Sequence, residues 1–416
     1  MDKTICKAGV SGRITPPSSK SYAQRAIAAA LLSRGESRLC NIDLCQDTRA
    51  ALSVIEALGA AVRQIDKHTF AVTGGLDPRT EVIDIGESGL ATRLFTPIAS
   101  LCGRRIRVEG RGTMRYRPVS MMCGPLRELG VQVWDNGGVL PIMVEGPLRG
   151  GEIEVDGSIS SQFITGLLMA LPLAPQETQL KVREPKSIPY IDMTLDLVRS
   201  WGVEIDHCDY REFYIPGSQS YTPRSYRVEG DWSGAAIMMV AGAVAGEVTL
   251  RNLNPLSRQA DTSVIEALSH AGAEIVIEGD EITVRRKELR GFEFDATHCP
   301  DLFPALAALA ANCKGITTLH GTRRLLHKES NRAEAIASEF GKMGIEVDIR
   351  TPDIMKIRGG AIQGADVESH GDHRMAMAEA VAALNASEPV VIGGAECVAK
   401  SYPDFWRDLE KITVRE

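Results

Sequence analysis

Along the chain, runs of small apolar residues alternate with stretches in which apolar positions return every third and fourth residue. The periodic stretches fall at 47–58, 118–129, 192–201, 261–271 and 331–343, and in the first of them Leu52, Ile55 and Leu58 share one helical face. Each closes on a glycine: Gly59, Gly130, Gly202, Gly272 and Gly344 recur 70–72 residues apart. Glycine there suits the left-handed residue that ends a helix. The residues that follow alternate in polarity, as in Val203-Glu204-Ile205 and Glu274-Ile275-Val276-Ile277, the period of a half-buried strand. A second set of stretches, 23–32, 90–101, 163–173, 235–245, 302–311 and 375–384, is rich in Ala, Gly, Leu and Met and nearly free of charge. Helices apolar on almost every side belong inside a domain. A fixed period of this kind marks a repeat architecture.

The pattern predicts six copies of one strand–helix–strand–helix–strand–strand unit in an α/β chain. Each domain is expected to bury three parallel helices, wrapped by sheets and outer helices. The sixth copy is split between the chain ends: 402–412 supplies its helix and 5–14 its final strands. Both termini are therefore expected in one domain. A length of 416 residues suits two or three domains.

Composition narrows the class. Apolar residues make up 44% of the chain, enough for sizeable cores. The net charge of −7 argues against a general nucleic-acid or anionic-membrane binder. The nine cysteines form no C-x-x-C pair and read as small core residues of a reducing compartment. Met1-Asp2-Lys3-Thr4 opens no signal-like run, and 235–245 is too short to span a bilayer, so a cytoplasmic protein is expected. No G-x-x-x-x-G-K-[ST] is present, which disfavours a P-loop kinase.

The apolar helices begin with polar residues: Ser19-Lys20-Ser21, Glu87-Ser88-Gly89, Ser160-Ser161-Gln162, Asp231-Trp232-Ser233, Asp301 and Asp372-His373-Arg374. Ser and Asp are good N-caps, and capping alone would explain any one of them. A bare cap does not need Lys20, Gln162 or Arg374 beside it. Helix N-termini also present free N–H groups and a positive dipole end. If these ends converge on one cleft, that cleft attracts anions despite the acidic total.

Ordered motifs run nearly from end to end: Pro17-Ser18-Ser19-Lys20-Ser21 with Arg25; Gly86-Glu87-Ser88-Gly89 with Arg93; Arg117-Pro118-Val119; Ser160-Ser161-Gln162-Phe163; Pro189-Tyr190-Ile191; Glu229-Gly230-Asp231; Pro300-Asp301; Lys328-Glu329-Ser330-Asn331-Arg332; Asp372-His373-Arg374-Met375; and Lys400-Ser401-Tyr402-Pro403. Together they resemble the enolpyruvyl transferases, in particular those acting on shikimate 3-phosphate. The resemblance implies a two-domain inside-out α/β barrel of six βαβαββ repeats, three per domain. It places residues 1–14 and 229–416 in one domain and 15–228 in the other, with the active site in the cleft that they share. It implies no metal or cofactor, a monomer, and a target of glyphosate.

The reaction implied joins phosphoenolpyruvate to the 5-hydroxyl of shikimate 3-phosphate by addition and elimination. The resemblance assigns the enolpyruvate anion to Lys20, Gly89, Arg117, Gln162, Arg332, Arg374 and Lys400. It assigns the shikimate phosphate and ring to Lys20, Ser21, Arg25, Ser160, Ser161, Gln162, Ser187, Asp301 and Lys328, with Tyr190 packing on the ring and Arg93 behind the site. Asp301 is the expected base, and Glu329 the acid and base at C3, with Lys20 assisting. His373 is expected to be structural. Glu87-Ser88-Gly89-Leu90 stands where the family commonly has Asn-Ala-Gly-Thr, Leu94 where Pro is frequent, and Asn331 where Asp is usual. Arg324 falls where some members have an Asn contacting the phosphate. The UDP-N-acetylglucosamine branch of the family typically carries a Cys just before its Arg-Pro, and residues 111–117 hold none. A repeat-built ring clamp around DNA would want basic, exposed helices lining its hole, the reverse of this pattern.

Overall fold

The computed structural model describes residues 1–158, 160–326 and 328–414. The chain divides into two compact units, Ser18–Val228, and Met1–Pro17 with the described residues from Glu229 onward. The first crossing falls between Pro17 and Ser18, three residues past the break expected after Ile14. Hydrogen bonds set its place. The Pro17 carbonyl accepts from Asp231 N at 2.8 Å on one side. On the other, Ser18 and Asp43 bond reciprocally, Ser18 N to Asp43 Oδ2 at 2.6 Å and Asp43 N to Ser18 Oγ at 2.8 Å.

Six apolar helices form the interiors: α1 (Lys20–Leu32), α2 (Gly89–Ala99) and α3 (Ser161–Ala170) in the first unit, and α4 (Trp232–Ala245), α5 (Phe303–Ala311) and α6 (His373–Ala383) in the second. Every residue of α2 and of α6 is buried. Small residues allow this packing: a Cβ on Gly166 of α3 would lie 2.1 Å from the Arg93 carbonyl oxygen of α2.

In the first unit α2 and α3 each bridge two parallel strands, a connection that parallel pairing requires. Val82–Asp84 and Arg105–Glu109 flank α2 and pair in parallel; Val139–Glu145 and then Gln132–Asn136 extend that sheet antiparallel. Gly151–Asp156, Thr178–Arg183, Glu212–Ile215 and Asp206–Cys208 repeat the arrangement around α3. In the third sheet the opening strand, Ser225–Arg227, comes from the far end of the unit and pairs in parallel with Gly35–Cys40. The repeat glycines Gly59, Gly130, Gly202, Gly272 and Gly344 have φ of +121°, +87°, +84°, +92° and +80°, the left-handed conformation their spacing predicts.

Two expectations need correction. The stretch 118–129 is not one helix. It holds the 3₁₀ turn Ser120–Met122 and then a short helix, Cys123–Glu128, and a further 3₁₀ turn, Gly112–Tyr116, precedes it. Pro118 holds the residue before it extended, with Arg117 at φ −76° and ψ 136°. The segment 5–14 was expected to supply the sixth copy's final strands, but it is shared between two sheets. Lys3–Ile5 pairs antiparallel with Val390–Gly393, whereas Gly9–Ile14 opens another sheet as the parallel partner of Gly246–Leu250. Between them Ala8 N bonds to the Leu384 carbonyl at 3.1 Å and lets the chain change sheets. Among the described residues no helix is long and apolar enough to cross a membrane.

Candidate active site

Five of the six inner helices start on a side-chain cap. Ser19, Ser88, Ser160, Asp231 and Asp372 accept from the amides of Tyr22, Ala91, Gln162, Gly234 and Arg374. Capping is thus real at these positions, but it accounts for the caps and not for the cations next to them.

In the Ser18–Val228 unit the organiser is Arg25, 1% exposed. Its Nε donates to Thr194 Oγ1 at 2.9 Å and its Nη1 to the Ser21 carbonyl at 2.9 Å. Its Nη2 donates to Thr165 Oγ1 and the Tyr190 carbonyl, both at 3.1 Å. Arg25 lies one turn beyond Ser21, Thr165 one turn beyond Ser161, and Thr194 one turn beyond Tyr190, so the starts of α1, α3 and helix Ile188–Ser200 share one end of the unit. All four acceptors are uncharged. Burial pushes the guanidinium down to about 10, still charged at neutral pH. A buried cation whose acceptors among the described residues are neutral dipoles favours an anion beside it. Ser187, 2% exposed at the start of Ile188–Ser200, has φ +54°, a conformation costly for a non-glycine residue and concentrated at functional sites.

A second cluster in this unit surrounds Gly89. Arg93 Nη1 donates to the Gly89 carbonyl at 3.1 Å and to Gln162 Oε1 at 3.2 Å, while its Nη2 donates to the Pro118 carbonyl at 3.0 Å. Arg93 therefore ties Gln162 to the Gly89 and Pro118 carbonyls. The Arg117 guanidinium lies on Gly89: a methyl there would be 2.7 Å from Nη1 and 2.9 Å from Cζ. Lys20 Nζ pairs with Asp47 Oδ2 at 3.0 Å.

In the other unit the hub is Arg332, 1% exposed. Its Nε donates to Asp372 Oδ2 at 2.7 Å, Nη1 to Asp301 Oδ1 at 2.7 Å, and Nη2 to Glu329 Oε2 at 2.8 Å and Asp372 Oδ1 at 3.4 Å. Lys328 Nζ reaches Asp301 Oδ1 at 3.1 Å, Arg374 Nη2 reaches Asp301 Oδ2 at 3.3 Å, and Lys400 Nζ lies 3.8 Å from Glu329 Oε1. Burial alone would raise the Asp301 carboxyl; Arg374, Lys328 and Arg332 outweigh it and hold the group well below the usual carboxylate range. Burial pulls the Lys328 ammonium down from its ordinary value, with Asp301 opposing. Asn331 makes no side-chain cap bond, and Arg332 is held by Asp372, Asp301 and Glu329. His373 is 1% exposed with Nδ1 3.8 Å from Asp372 Oδ1, a structural setting. Arg324 stands on the 3₁₀ turn Thr322–Leu325.

Residues that the sequence reading left without a role complete these clusters: Asp372, Asp47, Thr165, Thr194 and Asp261. Asp372 had a signal, the Asp of Asp-His-Arg-Met. The threonines had a weaker one, a polar residue one turn inside an apolar helix.

Asp261, 2% exposed, bonds to the Ser233 hydroxyl, and its carboxyl is pushed up to about 7 by burial, with nearby Asp301 adding and Arg374 opposing. Between its ordinary value and about 7 the folded state holds a proton that the unfolded state has lost. Stability from this group is therefore complete below about pH 4 and falls as pH rises to neutrality. Asp261→Asn removes that loss. In urea unfolding its stability relative to the unsubstituted protein is expected to grow from pH 5 to pH 8; a difference independent of pH would refute the account.

Each unit thus gathers buried cations near the starts of its inner helices, threaded in the second unit with carboxylates, an arrangement suited to a transferase of charged substrates. The chain belongs to the EPSP synthase (3-phosphoshikimate 1-carboxyvinyltransferase) family, whose profile matches residues 6–409. It is 38% identical over 414 residues to the 3-phosphoshikimate 1-carboxyvinyltransferase of Clostridium perfringens, covering 98% of this chain and 97% of that protein. It is 35% identical over 417 residues to that of Methanocorpusculum labreanum, covering 99% and 98%. Among solved structures, EPSP synthase from Acinetobacter baumannii superposes with a TM-score of 0.83 at 27% identity, over 99% of this chain and 98% of that one. These neighbours share the two-domain inside-out α/β fold expected for the chain.

Proposed function

We propose that this chain transfers the enolpyruvyl group of phosphoenolpyruvate to the 5-hydroxyl of shikimate 3-phosphate and releases phosphate. The observation that carries the reading is the Arg332 hub. Two carboxylates suited to proton transfer, Asp301 and Glu329, are held 2.7 and 2.8 Å from one buried guanidinium. Lys328, Arg374 and Lys400 stand beside them. Four cations, Arg332, Lys328, Arg374 and Lys400, thus stand among these carboxylates before any substrate arrives.

Arg117, Arg374, Lys400, Lys20, Gln162 and the Gly89 backbone hold the phosphate and carboxylate of phosphoenolpyruvate. Arg332, with four of its N–H groups on protein carboxylates, mainly sets the spacing of Asp301 and Glu329 and gives the substrate its remaining donor. Ser21, Arg25, Ser160, Ser161, Gln162, Ser187, Lys20 and Lys328 receive the shikimate phosphate and ring. The buried charge of Arg25 supports an anion there.

In the addition step the 5-oxygen bonds to C2 of the enol ether. Asp301 takes the hydroxyl proton and Glu329 gives a proton to C3. In the elimination step the C2–O(phosphate) bond breaks, phosphate leaves with the proton that Asp301 had taken, and Glu329 recovers a proton from the methyl group. Substrate anions drawing Arg374 and Lys328 toward themselves loosen their hold on Asp301 and make it a stronger base. The reading takes the enzyme to be a cytoplasmic monomer, with side-chain charges doing the electrostatic work.

The test is phosphate release with both substrates present, with each alone, and with UDP-N-acetylglucosamine in place of shikimate 3-phosphate. Release is expected only with phosphoenolpyruvate and shikimate 3-phosphate together; release with the nucleotide sugar would overturn the reading.

Gly89→Ala tests the seat of Arg117. The methyl meets the end of a flexible side chain, so the fold yields cheaply and Arg117 moves. KM for phosphoenolpyruvate is expected to rise about tenfold, ~1.4 kcal/mol, with the thermal midpoint nearly unchanged. An unchanged KM would show that Arg117 does not bind this substrate from that position.

A further inference from the structure

Segment 111–117 delivers Arg117 yet buries little of itself. Arg111, Gly112, Arg115 and Tyr116 are exposed, Tyr116 to 82%, and Met114 is the one fully buried side chain before Arg117. A cavity of about 380 Å³, lined in part by Arg115 and Tyr116, leaves room for the segment to move. Something other than apolar packing must fix it.

The fixing contacts run along the strand that leads into α2. Ile85 N bonds to the Glu109 carbonyl at 2.9 Å, Arg111 N to the Gly86 carbonyl at 2.7 Å, and the Arg111 guanidinium pairs with Asp84. The next position continues the series. The Glu87 carboxylate lies hard against Gly112: a Cβ on Gly112 would fall 2.1 Å from Oε1 and 2.3 Å from Cδ. Gly112 has φ +49°, so glycine is favoured there by conformation as well as by space. At the other end, Arg93 holds the Pro118 carbonyl. A carboxylate two residues from Gly89 repels an anionic guest, and that cost calls for a compensating role.

We propose that Glu87 is a positioning residue whose carboxylate braces segment 111–117 against the start of α2, keeping the Arg117 guanidinium seated on Gly89. The inference rests on the reading of Arg117 as a phosphoenolpyruvate ligand.

The experiment compares Glu87→Ala, Glu87→Gln, Gly112→Ala and the Glu87→Ala/Gly112→Ala double variant in the full chain. Glu87→Ala is expected to raise KM for phosphoenolpyruvate about tenfold, with kcat and KM for shikimate 3-phosphate within about twofold. Glu87→Gln, of the same size, is expected to restore KM to within about threefold. Gly112→Ala is expected to raise KM strongly in the presence of Glu87 and much less in the Glu87→Ala background, where the clash is gone. Hydrogen exchange of the amides of 111–118 supplies a readout independent of turnover, and faster exchange is expected in Glu87→Ala. An unchanged KM and unchanged exchange, or an equal cost of Gly112→Ala in both backgrounds, would overturn the brace. Faster exchange without any effect on phosphoenolpyruvate would keep the brace and refute Arg117 as its ligand.

Discussion

Arg332→Ala is expected to cost about 3–5 kcal/mol of folding stability and to abolish measurable turnover. Arg332 is 1% exposed and Asp372 is fully buried, so the truncation strands a carboxylate in the interior. Asp372 also caps α6 through Arg374 N at 3.0 Å, so the damage reaches the helix that carries Arg374. Asp301 and Glu329 lose their common anchor together. Arg332→Lys restores the charge but not the fork, because one ammonium cannot serve three carboxylates at once. Its stability is expected to fall between the two, with turnover still severely reduced. Urea unfolding and a phosphate-release assay check both variants. A fully stable Arg332→Ala would mean that the hub is not what holds these carboxylates.

Asp301→Asn is expected to lower kcat by about 10²–10⁴-fold, the range for losing a positioned proton-transfer group. The amide keeps an oxygen toward Lys328 and Arg332, so shikimate 3-phosphate binding is expected to persist in a direct titration. The pH behaviour follows from the same geometry. Cations hold Asp301 well below the ordinary carboxylate range, so it stays ionised through neutral and mildly acidic pH. No acid limb above about pH 5 in kcat/KM should therefore come from this group. If Asp301→Asn removes an acid limb centred near pH 6, the free enzyme does not hold Asp301 as described here.

The hydrophobic pattern carried most of the architecture because helix and strand periods are local properties. The five repeat glycines announced five left-handed turns, and all five have positive φ. The pattern failed at 118–129, where Pro118 holds Arg117 extended and the helix begins only at Cys123. It also failed at 5–14, since the sheet a strand joins depends on partners far along the chain.

The site divides in the same way. Lys20, Arg117, Asp301, Glu329, Arg332, Arg374 and Lys400 were legible as residue types in ordered motifs, the cations among them as groups suited to anions. Who holds whom was not. Arg332 was expected to grip substrate, and the structure shows in addition its bonds to Asp301, Glu329 and Asp372. Arg25 joins three helix starts through Thr165 and Thr194, distant in sequence and unremarked by motif. Glu87 read only as a departure from a family pattern until Gly112 was found beneath its carboxylate.

By itself, then, the sequence determined the repeat, the buried helices, their capped polar ends and the chemical character of the site, because each is written in residues within a few turns of one another. Only the tertiary structure decided which carboxylate neutralises which cation, which buried charge is left to neutral dipoles, and which glycine makes room for a neighbour. Those outcomes depend on distances between residues tens to hundreds of positions apart, and electrostatic and steric energies respond to distance, not to order along the chain.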